Sequence, residues 1–263
     1  MMQFSLIIIN YKTFELTNNC LKSLFLLPDQ SDLEIIVIDN NSNDGSAEKL
    51  EAEFNAKIKI IKNKQNLGFA GANNQGAAMA GGQFLIFLNS DTVIKEDFLS
   101  ICAKILNENS KIGIISPRLK LPNGENQKAA FGVFPTLKNL LTQSLKKEPA
   151  INEDDNFYIT DWVSGCALMI SQKLFQEIGG WDDHFFLYYE DIDICKKANL
   201  KGYQSAVALK TNITHLGGQS LKANTEKKQR YYASQDYYFK KYYSIPTQLI
   251  IKATRFFYSL LKS

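Results

Sequence analysis

Cysteine is scarce in this chain: Cys20, Cys102, Cys166 and Cys195 lie far apart, and no two make a CxxC pair. Each sits among apolar neighbours, the setting of buried, reduced thiols in a cytosolic protein rather than of a disulfide framework. Histidine is scarcer still, with only His184 and His215. Long apolar runs are missing, since none approaches the roughly 18 uncharged residues of a transmembrane helix. The opening "MMQFSLIIINYK" has no basic leader, and its apolar run is too short for a secretory signal. A strong charge bias is absent too: the net charge is +3, too mild for the concentrated basic footprint of a nucleic-acid binder. There is no internal repeat and no low-complexity tract. The expectation is a cytoplasmic protein, touching a membrane at most from the side.

Apolar residues make up 45% of the 263 residues and aromatic residues 12%, enough to bury a substantial core. Through residue 116 short β-branched runs alternate with helical stretches. "FSLIIIN" (4–10), "LEIIVID" (33–39), "KIKII" (57–61), "QFLIFLN" (83–89) and "IGIIS" (112–116) read as buried strands. Helices are expected over 16–27, 46–54, 70–80 and 96–108. This rhythm predicts an α/β fold with a mostly parallel, Rossmann-like sheet flanked by helices. Ligands of such sheets bind beyond the carboxyl ends of the strands. That rule gathers Asn10-Tyr11, "DNNSNDGS" (39–46), "NKQNLGFAG" (63–71) and "NSDT" (89–92) at one crevice.

From Pro117 the rhythm breaks. Residues 136–160 read as a charged loop or lid, and "WVSGCALMIS" (162–171) as a buried strand. "SQKLFQEIGGW" reads as a short helix capped by Ser171. "FFLYYEDIDICKK" (185–197) then starts another, with Ile192, Cys195 and Ala198 on its inner face.

Taken singly, each polar site has two readings. Asp39 suits an Asx-rich turn capping the next helix, with Ser46 or Asp44 as its N-cap, or it accepts from a nucleobase or ribose. The glycines of "NLGFAGANNQG" (66–76) serve a tight turn or let the backbone approach a nucleotide. Asp91 caps a helix or holds a hard divalent cation, for which a second ligand is needed. His184 reads as a surface group, and His215 as structural or as a ligand. Glu190, Asp191 and Asp193 are either a solvated helix start or a base held in a cleft.

Together, "IIINYK", "IIVIDNNSNDGS", "NLGFAGANNQG", "FLNSDT", "SGCALMI", "GGWDDHFFLYYEDIDIC" and "HLGGQS" occur in an order that resembles glycosyltransferase family 2. The nearest likeness is to its bacterial rhamnosyltransferase-like branch. The resemblance spans roughly residues 4–220 and implies a GT-A fold. On that pattern residues 1–225 form one catalytic domain, with a nucleotide-sugar-binding half (1–116) continuous with a mixed acceptor-binding half (117–225). Residues 226–263 follow as a basic, aromatic helical tail. It further implies that Asn10 and Tyr11 lie against the base and that Asp39 bonds the N3–H of a uracil or thymine. Asn41 and Asp44 would support that loop, and Gly68 and Asn73 would line the ribose and donor. Asn89-Ser90-Asp91 stands where the family carries an acidic triplet, here with a single carboxylate. Asp91 would bind Mg²⁺ or Mn²⁺, with His215 as the second ligand. Trp181, Asp182 and Glu190 would face the acceptor. Asp191 would be the base of an inverting displacement, with its pKa raised by burial and by Glu190 and Asp193.

The activity so implied moves a sugar, rhamnose from dTDP-rhamnose or a hexose from a UDP-sugar, to a saccharide or lipid-linked acceptor of cell-surface polysaccharide. A sugar-nucleotide pyrophosphorylase or a non-catalytic sugar-binding protein are the alternatives. In the tail, 226–243 reads as a helix packing its aromatic face on the domain. Residues 247–263 form an apolar face flanked by Lys252, Arg255 and Lys262. That face suits a peripheral membrane contact, an oligomer contact or an intramolecular one.

Overall fold

The computed structural model describes residues 3–28, 31–141, 155–217 and 224–260. Most of the segment read as a lid, 142–154, lies outside the described residues.

β1 (Phe4–Asn10), α1 (Phe14–Phe25), β2 (Leu33–Asp39), α2 (Ser46–Phe54), β3 (Lys59–Lys62), α3 (Gly68–Met79) and β4 (Phe84–Asn89) follow the expected alternation. The four strands run parallel in the order β3-β2-β1-β4. Both faces of this sheet are covered, which is why its strands are continuously apolar. Leu6, Ile8, Ile35 and Val37 point into one core, and Ile7, Ile36 and Ile38 into the other. The register sets Asn10 beside Asp39, Asp39 beside Lys62, and Ile9 beside Asn89, so the polar strand ends line up on one edge.

The second half is mixed. β5 (Thr92–Val93), α4 (Phe98–Glu108) and β6 (Ile112–Lys120) lead into β7 (Phe131–Gly132), α5 (Leu137–Leu141), β8 (Phe157–Thr160) and β9 (Trp162–Val163). β10 (Ala167–Ser171), α6 (Gln172–Glu177), α7 (Glu190–Leu200), β11 (Gln204–His215), α8 (Asn224–Tyr242) and α9 (Ile245–Leu260) complete the chain. β10 inserts antiparallel between β4 and β6, and the sheet continues through β11 to β5. β8 also pairs with β11, while β7 and β9 form a separate ribbon.

Four local readings shift. Asp97, not Asp91, caps α4, accepting from the Ser100 amide at 3.1 Å. β6 runs on through Pro117, and its register with β11 slips immediately afterwards, where a residue without an N–H does least damage. The strand expected over 162–171 is two, β9 and β10, broken at Ser164-Gly165-Cys166. Neither Asp44 nor Ser46 occupies the cap of α2, which is Gly45 at φ 78°; Asp44 instead accepts from the Ser46 amide at 3.0 Å. Ser171 does cap α6, accepting from the Leu174 amide.

α8 buries Tyr238 and Phe239 in the same core cluster as Phe87 and Ile194, so residues beyond 225 share the core of the domain. α9 buries Ile251 and ties Arg255 to Asp236 at 2.6 Å, but leaves Ile245, Leu249 and Ile250 exposed. Among the described residues no helix is long and apolar enough to cross a membrane. All four cysteines are free and buried, and burial pushes the Cys20 and Cys195 thiols up to about 12.

Candidate active site

A cleft of about 540 Å³ opens at the carboxyl edge of the parallel strands. Tyr11, Lys12, Asn40, Asn66, Gly68, Asn89, Ser90 and Asp91 line it from the first half. Gly165, Phe186, Tyr188, Glu190, Asp191 and Arg230 line it from the second. Of the residues expected here, Tyr11, Gly68, Asn89, Ser90, Asp91, Glu190 and Asp191 reach the cleft surface. Asn10, Asp39, Asn41, Asn73, Trp181, Asp182 and His215 do not.

Asn10 and Asp39 act beneath that surface. The Asn10 amide donates to Asp39 Oδ2 at 2.7 Å and to Ser42 Oγ at 3.1 Å, and Asp39 Oδ1 accepts from the Ser42 amide at 3.0 Å. Asn10 Oδ1 accepts from Thr17 at 2.8 Å and Thr13 at 3.2 Å. This buried network fixes the turn that presents Tyr11 and Lys12. Asn41 sits in the left-handed region at φ 67°, with its side-chain Oδ1 accepting from Asn43 Nδ2.

Asn40 does what the sequence pattern did not reveal. Buried to 2% exposure, it accepts from Asn63 Nδ2 and the Leu67 amide, and donates to Asn66 Oδ1 and the Gly68 carbonyl. One side chain thus holds the whole 63–68 loop against the end of β2. Gly68 itself has φ 72°, and a Cβ there would lie 2.7 Å from the Phe186 carbonyl oxygen. That close approach brings the aromatic segment of the second half onto the first. Asn73 is buried, its Nδ2 without a hydrogen-bond partner among the described residues, whereas Asn74 grips the backbone of Trp181 at both N–H (2.9 Å) and C=O (2.8 Å).

Asp91 is nearly buried, and its Oδ1 lies 3.1 Å from His215 Nε2, the ring arriving at the end of β11. The other ring nitrogen, Nδ1, lies 2.7 Å from Gln127 Oε1. Both nitrogens therefore face oxygen acceptors, yet a neutral imidazole has one N–H. With Nδ1–H donated to Gln127, Nε2 keeps a lone pair that can join Asp91 on a cation; with Nε2–H donated to Asp91, the contact is an ordinary hydrogen bond. The spacing also matches the roughly 3 Å between neighbouring donors on an octahedral cation with bonds near 2.1 Å. The donor set fits a divalent cation, with Gln127 orienting the imidazole from behind.

Asp191 stands in the first turn of α7. Two consecutive left-handed residues, Tyr188 (φ 71°) and Tyr189 (φ 68°), precede it. Such conformations cost on the order of 1–3 kcal/mol each, and here they swing the helix start into the cleft. Burial pushes Asp191 up to about 6, against the pull of N–H donors from Gly165 (3.3 Å) and Ile192 (2.8 Å). Burial, and then the Asp191 charge, lift Glu190 well above the carboxylate range. Asp193 plays a different part from the one expected of it. Fully buried, it accepts from Lys241 at 2.7 Å and from the Tyr242 hydroxyl at 2.8 Å, so it anchors α8 instead of perturbing Asp191.

Trp181 packs in the core, 4.9 Å from the Phe87 ring and 5.4 Å from that of Phe69. Asp182 faces α8, where burial works upward but the Lys241 and His184 hydrogen bonds outweigh it and hold the carboxyl at about 2. Asp182, Asp183 and His184 place ligand atoms within 4.8 Å of one another, but Asp182 is ion-paired to Lys241 and none of the three lines the cleft. Arg230 of α8, over the Phe186 ring at 4.0 Å, joins Lys12 as a cation of the cleft.

The sequence profile described as "Glycosyl transferase family 2" matches residues 5–179, more than half of the chain. The chain belongs to that family. Among similar proteins is the low-salt glycan biosynthesis hexosyltransferase Agl10 of Haloferax volcanii, 30% identical over 200 residues, which are 74% of this chain and 61% of that protein. Another is the poly-beta-1,6-N-acetyl-D-glucosamine synthase of Staphylococcus epidermidis, 26% identical over 74% of this chain and 45% of its own length. The chain thus spans less than two thirds of either relative. Among solved structures, GalNAc-T7 with UDP, GalNAc and Mn²⁺ superposes with a TM-score of 0.70 at 19% identity, covering 82% of this chain and 44% of that one. S. aureus TarS 1–349 gives 0.61 at 18% identity, covering 91% and 72%. At these identities the two structures establish the α/β GT-A fold, a mixed sheet flanked by helices.

Proposed function

We propose that the protein is an inverting glycosyltransferase that moves a sugar from a nucleotide-sugar donor to a saccharide or lipid-linked saccharide acceptor in surface-polysaccharide synthesis. The observation that carries this is the meeting of Asp91 and Asp191, remote in sequence, on one cleft, with burial lifting Asp191 to about 6. A group that titrates there is ionised at neutral pH yet basic enough to take a proton. The acceptor oxygen attacks the anomeric carbon, its proton passes to an oxygen of Asp191, and the bond from that carbon to the phosphate oxygen breaks. The nucleoside diphosphate leaves.

Tyr11 and the Asn40-held loop support the base and ribose, with Asp39 and Asn10 holding their frame. Lys12, Arg230, Asn89 and Ser90 lie where a diphosphate would need donors. Asp91 and His215 would hold Mg²⁺ or Mn²⁺, whose charge when bound offsets that of the departing diphosphate. Phe186 and Tyr188 limit water at the reacting centre.

For the donor, the sequence resemblance favours rhamnose from dTDP-rhamnose. The relatives, a hexosyltransferase and an N-acetylglucosamine polymer synthase, and the UDP of GalNAc-T7 favour a UDP-hexose. Diphosphate release from a panel of UDP-, dTDP- and GDP-sugars with Mn²⁺ or Mg²⁺ decides between them. Release from none would remove the activity. The exposed Ile245, Leu249 and Ile250 of α9 support a peripheral membrane contact, with a second copy of the chain as the other partner. Vesicle sedimentation and light scattering of Leu249→Asp separate the two.

A further inference from the structure

α7 begins on a turn that does not hold itself. Tyr188 and Tyr189 are both left-handed, at φ 71° and 68°, and neither is the glycine or asparagine that takes this region readily. Such residues persist only where their neighbours over-determine them. Asp191 lies two positions on, so whatever holds this turn also sets where its carboxylate points.

The holding groups come from α8, which lies beyond the residues matched to the family, 5–179. The Ser234 hydroxyl donates to the Leu187 carbonyl at 2.8 Å, ahead of the turn. The Gln235 amide donates to the Tyr189 hydroxyl at 2.8 Å, within it. Lys241 and the Tyr242 hydroxyl reach Asp193 behind it, at 2.7 and 2.8 Å. Tyr238 adds its ring, centred 5.4 Å from that of Tyr189. At helical spacing, residues 234, 235, 238, 241 and 242 share one face of α8. That face grips residues 187, 189 and 193 and leaves Asp191 to the cleft, where it accepts from Gly165 and Ile192.

Gln235 is the centre of this face. It is buried, 6% exposed, and its two amide ends have different partners: Nε2 faces Tyr189, and Oε1 accepts from Arg255 of α9 at 2.7 Å. Arg255 is fixed in turn by Asp236 at 2.6 Å. The other hydroxyl near that of Tyr189 belongs to Tyr231, farther off at 3.3 Å and on a residue 38% exposed.

We propose that Gln235 is a positioning residue for the reaction: through the Tyr189 hydroxyl it holds the left-handed turn that keeps Asp191 in the cleft. This role rests on Asp191 being the base of a glycosyl transfer. It acts on rate and not on donor binding, because Tyr11, the Asn40-held loop and Asp91 belong to the other half of the cleft. Without the bond the turn relaxes toward ordinary backbone, and Asp191 moves with it. The helices beyond residue 225 are then part of the working site.

The test measures UDP or dTDP release from UDP-glucose, UDP-N-acetylglucosamine and dTDP-rhamnose, with Mn²⁺ and methyl glycosides as acceptors. Gln235→Leu keeps much of the volume and loses both bonds. Its kcat should fall about 10–100-fold while UDP and dTDP Kd stay within about twofold of wild type. Gln235→Glu, accepting from Tyr189 and Arg255 alike, should recover kcat to within about threefold of wild type. Tyr189→Phe should match Gln235→Leu, and the double variant should be no slower than either, since both remove the same bond. Tyr189→Phe deletes a single oxygen, so it decides alone if Gln235→Leu fails to fold. Unchanged kcat in Tyr189→Phe would overturn the assignment, as would a Gln235→Glu rate as low as that of Gln235→Leu. Asp191→Asn runs alongside. Normal release in that variant, or none from wild type, removes the base on which the role rests, and the Gln235 series does not mimic either result.

Discussion

His215 Nε2 lies 3.1 Å from Asp91 Oδ1, although 124 residues separate them. Two strands at the far end of the sheet bring them together, because β11 pairs antiparallel with β5 and sets His215 beside Thr92. Gln127 holds the ring from its other nitrogen.

That relationship predicts a graded metal dependence. His215→Ala should abolish activation by Mn²⁺ or Mg²⁺. Gln127→Ala, which keeps both ligands but frees the imidazole, should raise the half-activating metal concentration about 10–100-fold. Metal titrations of initial rate distinguish the two, and full activity in EDTA would remove the metal role altogether.

Asp191 predicts the pH behaviour. Burial lifts it to about 6, and a base works only when ionised, so kcat/KM should fall about tenfold per pH unit below that point and level off above it. Asp191→Asn should lose about 10²–10⁴-fold in kcat while leaving nucleotide Kd unchanged. The same shift acts on stability with the opposite sense. Between roughly pH 4 and 6 the folded chain keeps a proton that the unfolded chain releases, so stability falls as pH rises through this window. Two units correspond to on the order of 3 kcal/mol, and Glu190 adds in the same direction. Asp191→Asn should therefore unfold in urea no earlier than wild type at pH 8, and a marked loss of stability there would contradict the assigned shift.

Asn40 predicts a donor-specific defect. Asn40→Ala removes four hydrogen bonds to the 63–68 loop. Donor KM should rise about tenfold or more with acceptor KM little changed, and amide hydrogen exchange should quicken at Leu67 and Gly68.

Lys241 predicts a stability effect. Asp193 is fully buried and loses its principal cation in Lys241→Ala, which should cost about 3–5 kcal/mol. Thermal unfolding should fall by roughly 6–15 °C, read by circular dichroism. An unchanged Tm would mean that Lys197, 3.8 Å away, suffices as partner.

Much of the fold was legible from local pattern. β-branched runs of strand length, separated by helical stretches, specified the parallel half, because a strand covered on both faces is apolar throughout and needs no partner to be recognised. The polar strand ends followed from topology, since right-handed crossovers leave every loop after β1 to β4 on one edge. The pairing of Asp91 with His215 followed only from the family resemblance, whereas the helix starting within 185–197 was legible from the spacing of Ile192, Cys195 and Ala198. Other elements were not legible. Asn40 looked like one more asparagine of an Asx-rich loop, and nothing local marks four bonds to a loop more than twenty residues away. Trp181 and Asp182 sat in a motif beside Asp191, but sequence proximity does not say which side of a turn faces a cleft. Gly179 and Gly180, both with positive φ, precede the pair, which ends with Trp181 in the core and Asp182 bonded to Lys241 and Tyr237 of α8.

By itself, then, the sequence determined where the chain is strand or helix and which edge of the sheet is chemical, since periodicity and turn residues act over a few positions. Only the tertiary structure decided which carboxylates share a cleft, which is lifted toward neutrality and which is neutralised by a lysine. Those outcomes depend on burial and on partners delivered by β11 and α8, and solvent exclusion is a property of the packed molecule.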